Sequence, residues 1–198
     1  MNKPWTKWAL GIGIAIGILW SISSYNTLVN SEESVVAQWQ NVETVYQARA
    51  DKTKNLVEIV KGAAGFEQET LTQVIEARAK STSIKLEAKD LTPENMAKFS
   101  QAQAELSKSL GRLLMVAEQY PQLKAVDAFR DFQAQYEGME NRITTERRKY
   151  NDMAKDYNAS IRRFPKNIFA GIFGFVKKAY FEAQEGTEKA PDINMKLN

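Results

Sequence analysis

LVNSEESVVAQWQNVETVYQARADKTKNLVEIV, residues 28–60, is the stretch that decides the fold. Leu28, Glu32, Val35, Trp39, Val42, Tyr46, Arg49, Thr53, Leu56 and Val60 recur at alternating steps of four and three. That spacing keeps one stripe of an α-helix facing a neighbouring helix. No Pro or Gly falls inside the stretch, so a single long helix is expected.

On its N-terminal side this helix follows directly from Trp8-Ala-Leu-Gly-Ile-Gly-Ile-Ala-Ile-Gly-Ile-Leu-Trp-Ser-Ile22, and no charge occurs between Trp8 and Ser31. Trp5, Trp8, Trp20 and Tyr25 sit where aromatic side chains anchor a span at the two faces of a bilayer. Trp5 to Tyr25 is a rise of ~30 Å along a helix, the thickness of a hydrocarbon core. A transmembrane anchor is therefore expected over residues 1–25, with Ile12 and Ile16 in its apolar middle. A cleaved signal peptide is the competing reading, with Ser21 and Ser23 as small residues before the cut. Gly13 and Gly17, four apart, would let two such anchors pack closely. Lys3 and Lys7 precede the span, whereas Ser21 to Ala48 holds no Lys or Arg but does hold Glu32, Glu33 and Glu43. The positive-inside rule then places the N-terminus in the cytoplasm and the rest outside, single-pass in a bacterial inner membrane.

On the C-terminal side Gly62-Ala-Ala-Gly65 supplies a reversal. A second helix is expected from about Phe66 to Glu87, with Leu71, Val74, Ile75 and Leu86 inward. Thr92-Pro93-Glu94 reads as a helix start: an N-cap, a proline at the first helical position and an acid at the positive end. The third helix carries Met96, Phe99, Leu106, Leu110, Leu113 and Ala117 on one face and closes at Tyr120-Pro121. A fourth runs from Gln122 to Arg163 and ends at Phe164-Pro165. Its seam is Phe129, Gln133, Tyr136, Glu140, Ile143, Arg147, Tyr150, Ala154, Tyr157, Ile161 and Phe164. Short connections make successive helices antiparallel, so residues 26–164 are expected to form an all-α, up-down-up-down four-helix bundle. The rival is one long two-helix hairpin, kinked at Gly62–Gly65 and Pro121. Residues 165–181 form an aromatic-rich segment and 182–198 a polar tail. The aromatic segment either caps the open end of the bundle or lies on the bilayer, with Phe169, Phe173 and Phe175 inserted and Lys177 and Lys178 on headgroups.

Composition removes several kinds of chemistry. With no His and no Cys, disulfides, thiol nucleophiles, imidazole bases and the Glu-x-x-His pair of di-metal bundles are unavailable. No phosphate-binding loop, nucleophile elbow or dinucleotide fingerprint is present. The net charge of +3 is small, and Lys and Arg alternate with Glu and Asp, so no basic track for nucleic acid exists. No cofactor, metal or catalysis is expected. The polar residues on apolar seams are Arg49, Glu140 and Arg147. Pairing Leu28 with Phe164 puts Arg49 level with the interval between the other two. They are expected to form a buried ion network that sets register, or else to line a pocket for a ligand or partner.

Tyr25-Asn-Thr-Leu-Val29, Ala48-Arg-Ala-Asp51, Asn55-Leu-Val57, Val60-Lys-Gly62 and Glu76-Ala-Arg78 make a series that continues through the chain. Leu110-Gly-Arg-Leu113, Ala117-Glu-x-Tyr-Pro-x-Leu-Lys-Ala125, Glu140-Asn-Arg-Ile143 and Arg147-x-x-Tyr-Asn151 follow. Tyr157-Asn158, Phe164-Pro165, Gly174-Phe175, Tyr180-Phe-Glu-Ala183 and Ala190-Pro191 complete it. In this order the pieces resemble the LemA family of bacterial membrane-anchored proteins. The resemblance implies a four-helix bundle behind an N-terminal anchor, with no established molecular activity. Family descriptions often place the short N-terminus outside the cell; the local charges here place it inside. Where the family usually has Leu-Ile-Pro, this chain has Lys52-Thr53-Lys54, and a straighter first helix follows. The family's His-Glu pair stands here as Phe66-Glu67, so a His-dependent role does not carry over. The expected function is a non-enzymatic envelope scaffold or adaptor. Its partners would be the lipid bilayer, unidentified proteins and, in a homo-oligomer, further copies of itself, the alternative being a self-assembling protein that remodels membrane.

Overall fold

The computed structural model describes the backbone of residues 4–182, and side chains from Trp8 onward apart from Ala9 and Leu10. The Trp5 side chain and the tail from residue 183 lie outside the described residues. The described chain is all-helical, with no strand. Helix α1 runs unbroken from Pro4 to Lys61, 58 residues, a rod of roughly 87 Å. It passes through Lys52–Lys54 without interruption; Thr53 is buried and its hydroxyl donates to the Arg49 carbonyl at 2.8 Å. Two regimes share this one rod. Residues 11–20 are exposed throughout, whereas Leu28, Val35, Trp39, Val42, Tyr46, Arg49, Thr53, Leu56 and Val60 are all buried.

Helix α2 spans Gln68–Ser83, stopping short of the expected Glu87. Ser81, Thr82 and Ser83 turn their hydroxyls back onto the carbonyls of Arg78 and Lys80, competing with the backbone for the helix's last acceptors. Ile84 is extended, and a 3-10 turn at Ala88–Asp90 leads into α3, Pro93–Ala117. Thr92 caps α3 as its sequence requires, accepting from the Asn95 amide at 3.3 Å.

The expected fourth helix is divided. Pro121–Lys124 is a short helix, α4. Val126 is then extended, and α5 runs Asp127–Ser160 with its leading acid at the positive end. The break lets Leu123 tuck into the core beside Phe129. A further helix, α6, covers Lys166–Phe173, within the segment read from sequence only as aromatic-rich. Among the described residues, six α-helices therefore stand where an anchor and a four-helix bundle are expected.

Helices α1 and α5 are antiparallel: Gln38 bonds to Glu146, Arg49 to Glu140 and Lys52 to Gln135. The same sense relates α2 to α3, through Gln103 to Ser81, Lys80 to Glu105 and Arg112 to Glu67. Arg78 donates to the Ala50 carbonyl at 2.8 Å and Trp39 to the Leu86 carbonyl at 3.0 Å, tying α1 to α2 and its exit. The apolar interior falls into two clusters. One gathers around Trp39, Phe99, Tyr150 and Phe181, the other around Leu56, Leu106, Leu110, Leu113 and Phe129. Two expected inward residues face outward instead. Ile75 is partly exposed and Phe164 is 81% exposed, because α5 ends at Ser160 and the chain has turned away before Phe164.

Candidate functional site

Between the two apolar clusters lies a polar layer centred on Arg49. Its residue is only 1% exposed. One terminal guanidinium nitrogen donates to Glu140 Oε1 at 2.9 Å and to Ser107 Oγ; the other donates to the carbonyl and side-chain oxygens of Gln103, at 3.1 and 2.6 Å. Gln103 passes its own amide to the Ser81 carbonyl at 3.2 Å. The layer thus links α1, α2, α3 and α5. Arg49 Nε has no partner among the described residues. A cleft of about 340 Å³ opens on the layer, lined by Tyr46, Arg49, Gln103, Ser107, Glu140 and Arg147 among others. Burial pushes the Tyr46 and Tyr136 phenols above their ordinary range, so neither contributes a negative charge.

Arg49 and Glu140 are therefore brought together, but Arg147 is not bonded to either. It lies with its guanidinium carbon 4.7 Å from the centre of the Phe181 ring and donates to the Glu182 carbonyl at 3.1 Å. The cause is a strap of extended chain that follows α6. Gly174, with φ +77°, ends α6 in the left-handed region, where a side chain would be strained. From Phe175 to Glu182 the chain then runs back along α5. Asn158 donates to the Lys178 carbonyl at 2.8 Å and accepts from the Lys178 amide at 2.9 Å. Asn151 holds Phe181 in the same two-bonded way, both at 2.8 Å. The spacings match: seven helical residues rise ~10.5 Å and three extended residues ~10 Å. Tyr150 donates to the Ala179 carbonyl at 3.0 Å, and the Ala179 amide to Leu91 at 3.0 Å.

Two strap side chains turn inward. Phe181 packs among Trp39, Phe99 and Tyr150. The bilayer reading of this segment puts Lys178 on lipid headgroups. It is instead 5% exposed, paired with Glu32 at 2.7 Å and donating to the Ala88 carbonyl at 3.3 Å. Asn158 draws the Lys178 backbone against α5, and the Lys178 side chain turns inward to the Glu32 carboxylate.

The third part of the site is the end of the molecule where α1 is bare. One segment of α1 is long and apolar enough to cross a membrane, and little of it is covered. Trp8, Ile12, Ile16, Trp20 and Tyr25 are all exposed. Helix α6 lies against α1 where this run ends: Phe169 meets Trp20 with ring centres 5.7 Å apart, and Phe173 meets Tyr25 at 4.8 Å. Phe175 also packs against Tyr25, at 5.9 Å. Of the expected interfacial set, Phe169 and Phe175 are half-buried, whereas Phe173 and Lys177 are exposed. Among the described residues, no three carboxylates converge as metal ligands would.

Residues 38–195 match the sequence model of the LemA family. The chain belongs to the LemA family. Its relatives include magnetosome protein MamQ 2 of Paramagnetospirillum magneticum, 30% identical over 179 residues, or 80% of this chain and 64% of that protein. Magnetosome protein MamQ of Magnetospirillum gryphiswaldense is 27% identical over 178 residues, covering 79% and 64%. Protein LemA of Metamycoplasma hominis is 27% identical over 179 residues, covering 87% and 76%. The chain thus spans a little under two thirds of the length of the magnetosome relatives it matches.

Several of the LemA-like motifs meet in this geometry. Arg49 and Arg78 serve the polar layer and the α1–α2 contact. Arg147, Tyr150 and Asn151, with Asn158, form the clamp on Tyr180-Phe181-Glu182 and the residues before it. In the sequence Asn151, Asn158 and Phe181 stand only as parts of the family-like motifs, with no role assigned, and the Glu32–Lys178 pair is not foreseen. The seven-residue step between the two asparagines was visible, but nothing local said what they would hold.

Proposed function

We propose that this LemA-family protein is a non-enzymatic, membrane-anchored scaffold of the bacterial cell envelope. The N-terminal apolar run of α1 is its single transmembrane span. The remainder of α1 with α2, α3 and α5 acts as an up-down-up-down four-helix bundle that presents its outer faces to protein partners. By the charge count, the N-terminus is cytoplasmic and the bundle extracytoplasmic. What supports the reading above all is the unbroken course of α1 from exposed apolar residues into the packed core. One rigid element would then carry the bundle at a set place relative to the bilayer.

Alkaline carbonate washing of membranes from the native host tests the anchor, and loss of the protein to the supernatant would overturn it. Proximity labelling with the full-length protein tests the scaffold role. It should enrich a discrete set of envelope proteins beyond those found with residues 1–25 fused to an unrelated domain; identical profiles would overturn the scaffold. A second reading, membrane remodelling by self-assembly, draws on relatives named as magnetosome proteins and on the apolar surface of α6.

A further inference from the structure

Helix α6 is apolar on more than one side. Phe169 and Ala170 turn towards the helical body, while Ile168 and Ile172, four apart, remain 50% and 69% exposed. Phe164 before the helix, Phe173 at its end and Val176 after it extend the exposed surface. Single exposed apolar residues are common, but a row of five along one short stretch marks a surface that meets something.

Its position says what. The contacts with Trp20 and Tyr25 put α6 at the level where the apolar run of α1 gives way to polar residues. With α1 crossing a bilayer, that level is the interface. A protein partner bound there would have to share the surface with headgroups. The flanking charges agree: Arg162 and Arg163 precede the apolar row, Lys166 falls between its first two members and Lys177 follows it. None of the four pairs with a carboxylate among the described residues. Apolar residues bracketed by unpaired cations are the composition of a helix that lies in an anionic lipid surface.

We infer that α6 and the turn before it form a second membrane contact. Phe164, Ile168, Ile172 and Phe173 enter the headgroup–acyl boundary, while Arg162, Arg163, Lys166 and Lys177 engage the phosphates of anionic phospholipid. This rests on α1 spanning the bilayer. It also replaces Lys178, held by Glu32, with cations that pair with no carboxylate among the described residues.

The chain has no cysteine, so one introduced thiol reports one place. Full-length Ile172→Cys and a control, Ala97→Cys on the exposed face of α3, are labelled with an environment-sensitive fluorophore. Both are reconstituted into vesicles of phosphatidylcholine alone or with equal phosphatidylglycerol. Shallow doxyl-lipid quenchers should dim the label at position 172 and not that at 97. The effect should be greatest with phosphatidylglycerol and diminish when Arg162, Arg163 and Lys166 are changed to Gln. If the protein resists carbonate extraction yet the label at 172 is quenched by aqueous iodide and not by doxyl lipid, the inference is overturned and the anchor stands. Shielding from both quenchers would mean that a second copy or another protein covers α6, which also overturns it. Carbonate extraction of the protein would overturn the anchor and this inference together.

Discussion

Two tyrosines on one helix face separate what a buried hydroxyl does from what a buried ring does. Tyr150 and Tyr157 are both buried, but only Tyr150 donates a hydrogen bond among the described residues, to the Ala179 carbonyl; Tyr157 Oη has no partner in hydrogen-bond geometry among them. Tyr150→Phe should therefore lower stability by about 1 kcal/mol in chemical denaturation, while Tyr157→Phe should be nearly neutral. Burial pushes both phenols well above the ordinary tyrosine range, and the Glu32 charge adds to the effect at Tyr157. A raised folded value contributes stability that is complete below the unfolded value of about 10 and is lost as pH rises beyond it. Alkaline melts should show that decline, and Tyr157→Phe should make it shallower. In the polar layer, Glu140→Ala leaves the Arg49 guanidinium buried without its counter-charge. A loss of about 3 kcal/mol is expected, towards the low end for a broken buried pair because Glu140 keeps a third of its side chain in water. An unchanged denaturation midpoint would show that the layer is held by Gln103 and Ser107 alone.

At the scale of elements, α5 and the strap behave as one unit. Phe181→Ala empties a site among Trp39, Phe99 and Tyr150 and should cost about 3 to 5 kcal/mol. Asn158→Ala should act more locally: the amides of Lys178 and Phe181 should exchange with solvent faster, while those of α2 and α3 keep their protection. The contrast explains how much could be read from sequence. The seams of α1 and α3, the Thr92 cap and the Arg49–Glu140 pair follow from periodicity, because an amphipathic helix repeats its instruction every turn. The end of α2 was misjudged because apolar spacing carried on to Leu86 while three consecutive hydroxyls were already ending the helix. The strap has no period at all. Extended chain held by side-chain amides is specified by partners about 20 to 30 residues away, and no local pattern encodes that distance. Periodicity puts Arg147 on the inward face but cannot name its neighbours on the strap, Phe181 and Glu182, for the same reason.

At the scale of the molecule, the interruption of the core by a polar layer makes two apolar halves share one set of helices. The half near α6 also includes the strap and the Glu32–Lys178 pair. Phe181→Ala should therefore weaken this half first, seen as earlier loss of hydrogen-exchange protection around Trp39 than around Leu110. Simultaneous loss in both halves would show that the layer couples them fully.

The uninterrupted course of α1 has a mechanical consequence. With α1 crossing a bilayer as proposed above, a rod without a joint would convert what happens there into movement far from it. Tyr25 to Lys61 is a lever of ~54 Å, so a tilt of ~20°, ordinary for a span adjusting to membrane thickness, swings its far end by ~18 Å. Helix α6, resting beside the rod at Trp20 and Tyr25, would act as an outrigger that favours leaning in some directions over others. A dye at Lys61→Cys should then stand closer to the lipid surface in thin bilayers than in thick ones, and the protein, anchored as proposed, would serve as a gauge of bilayer thickness.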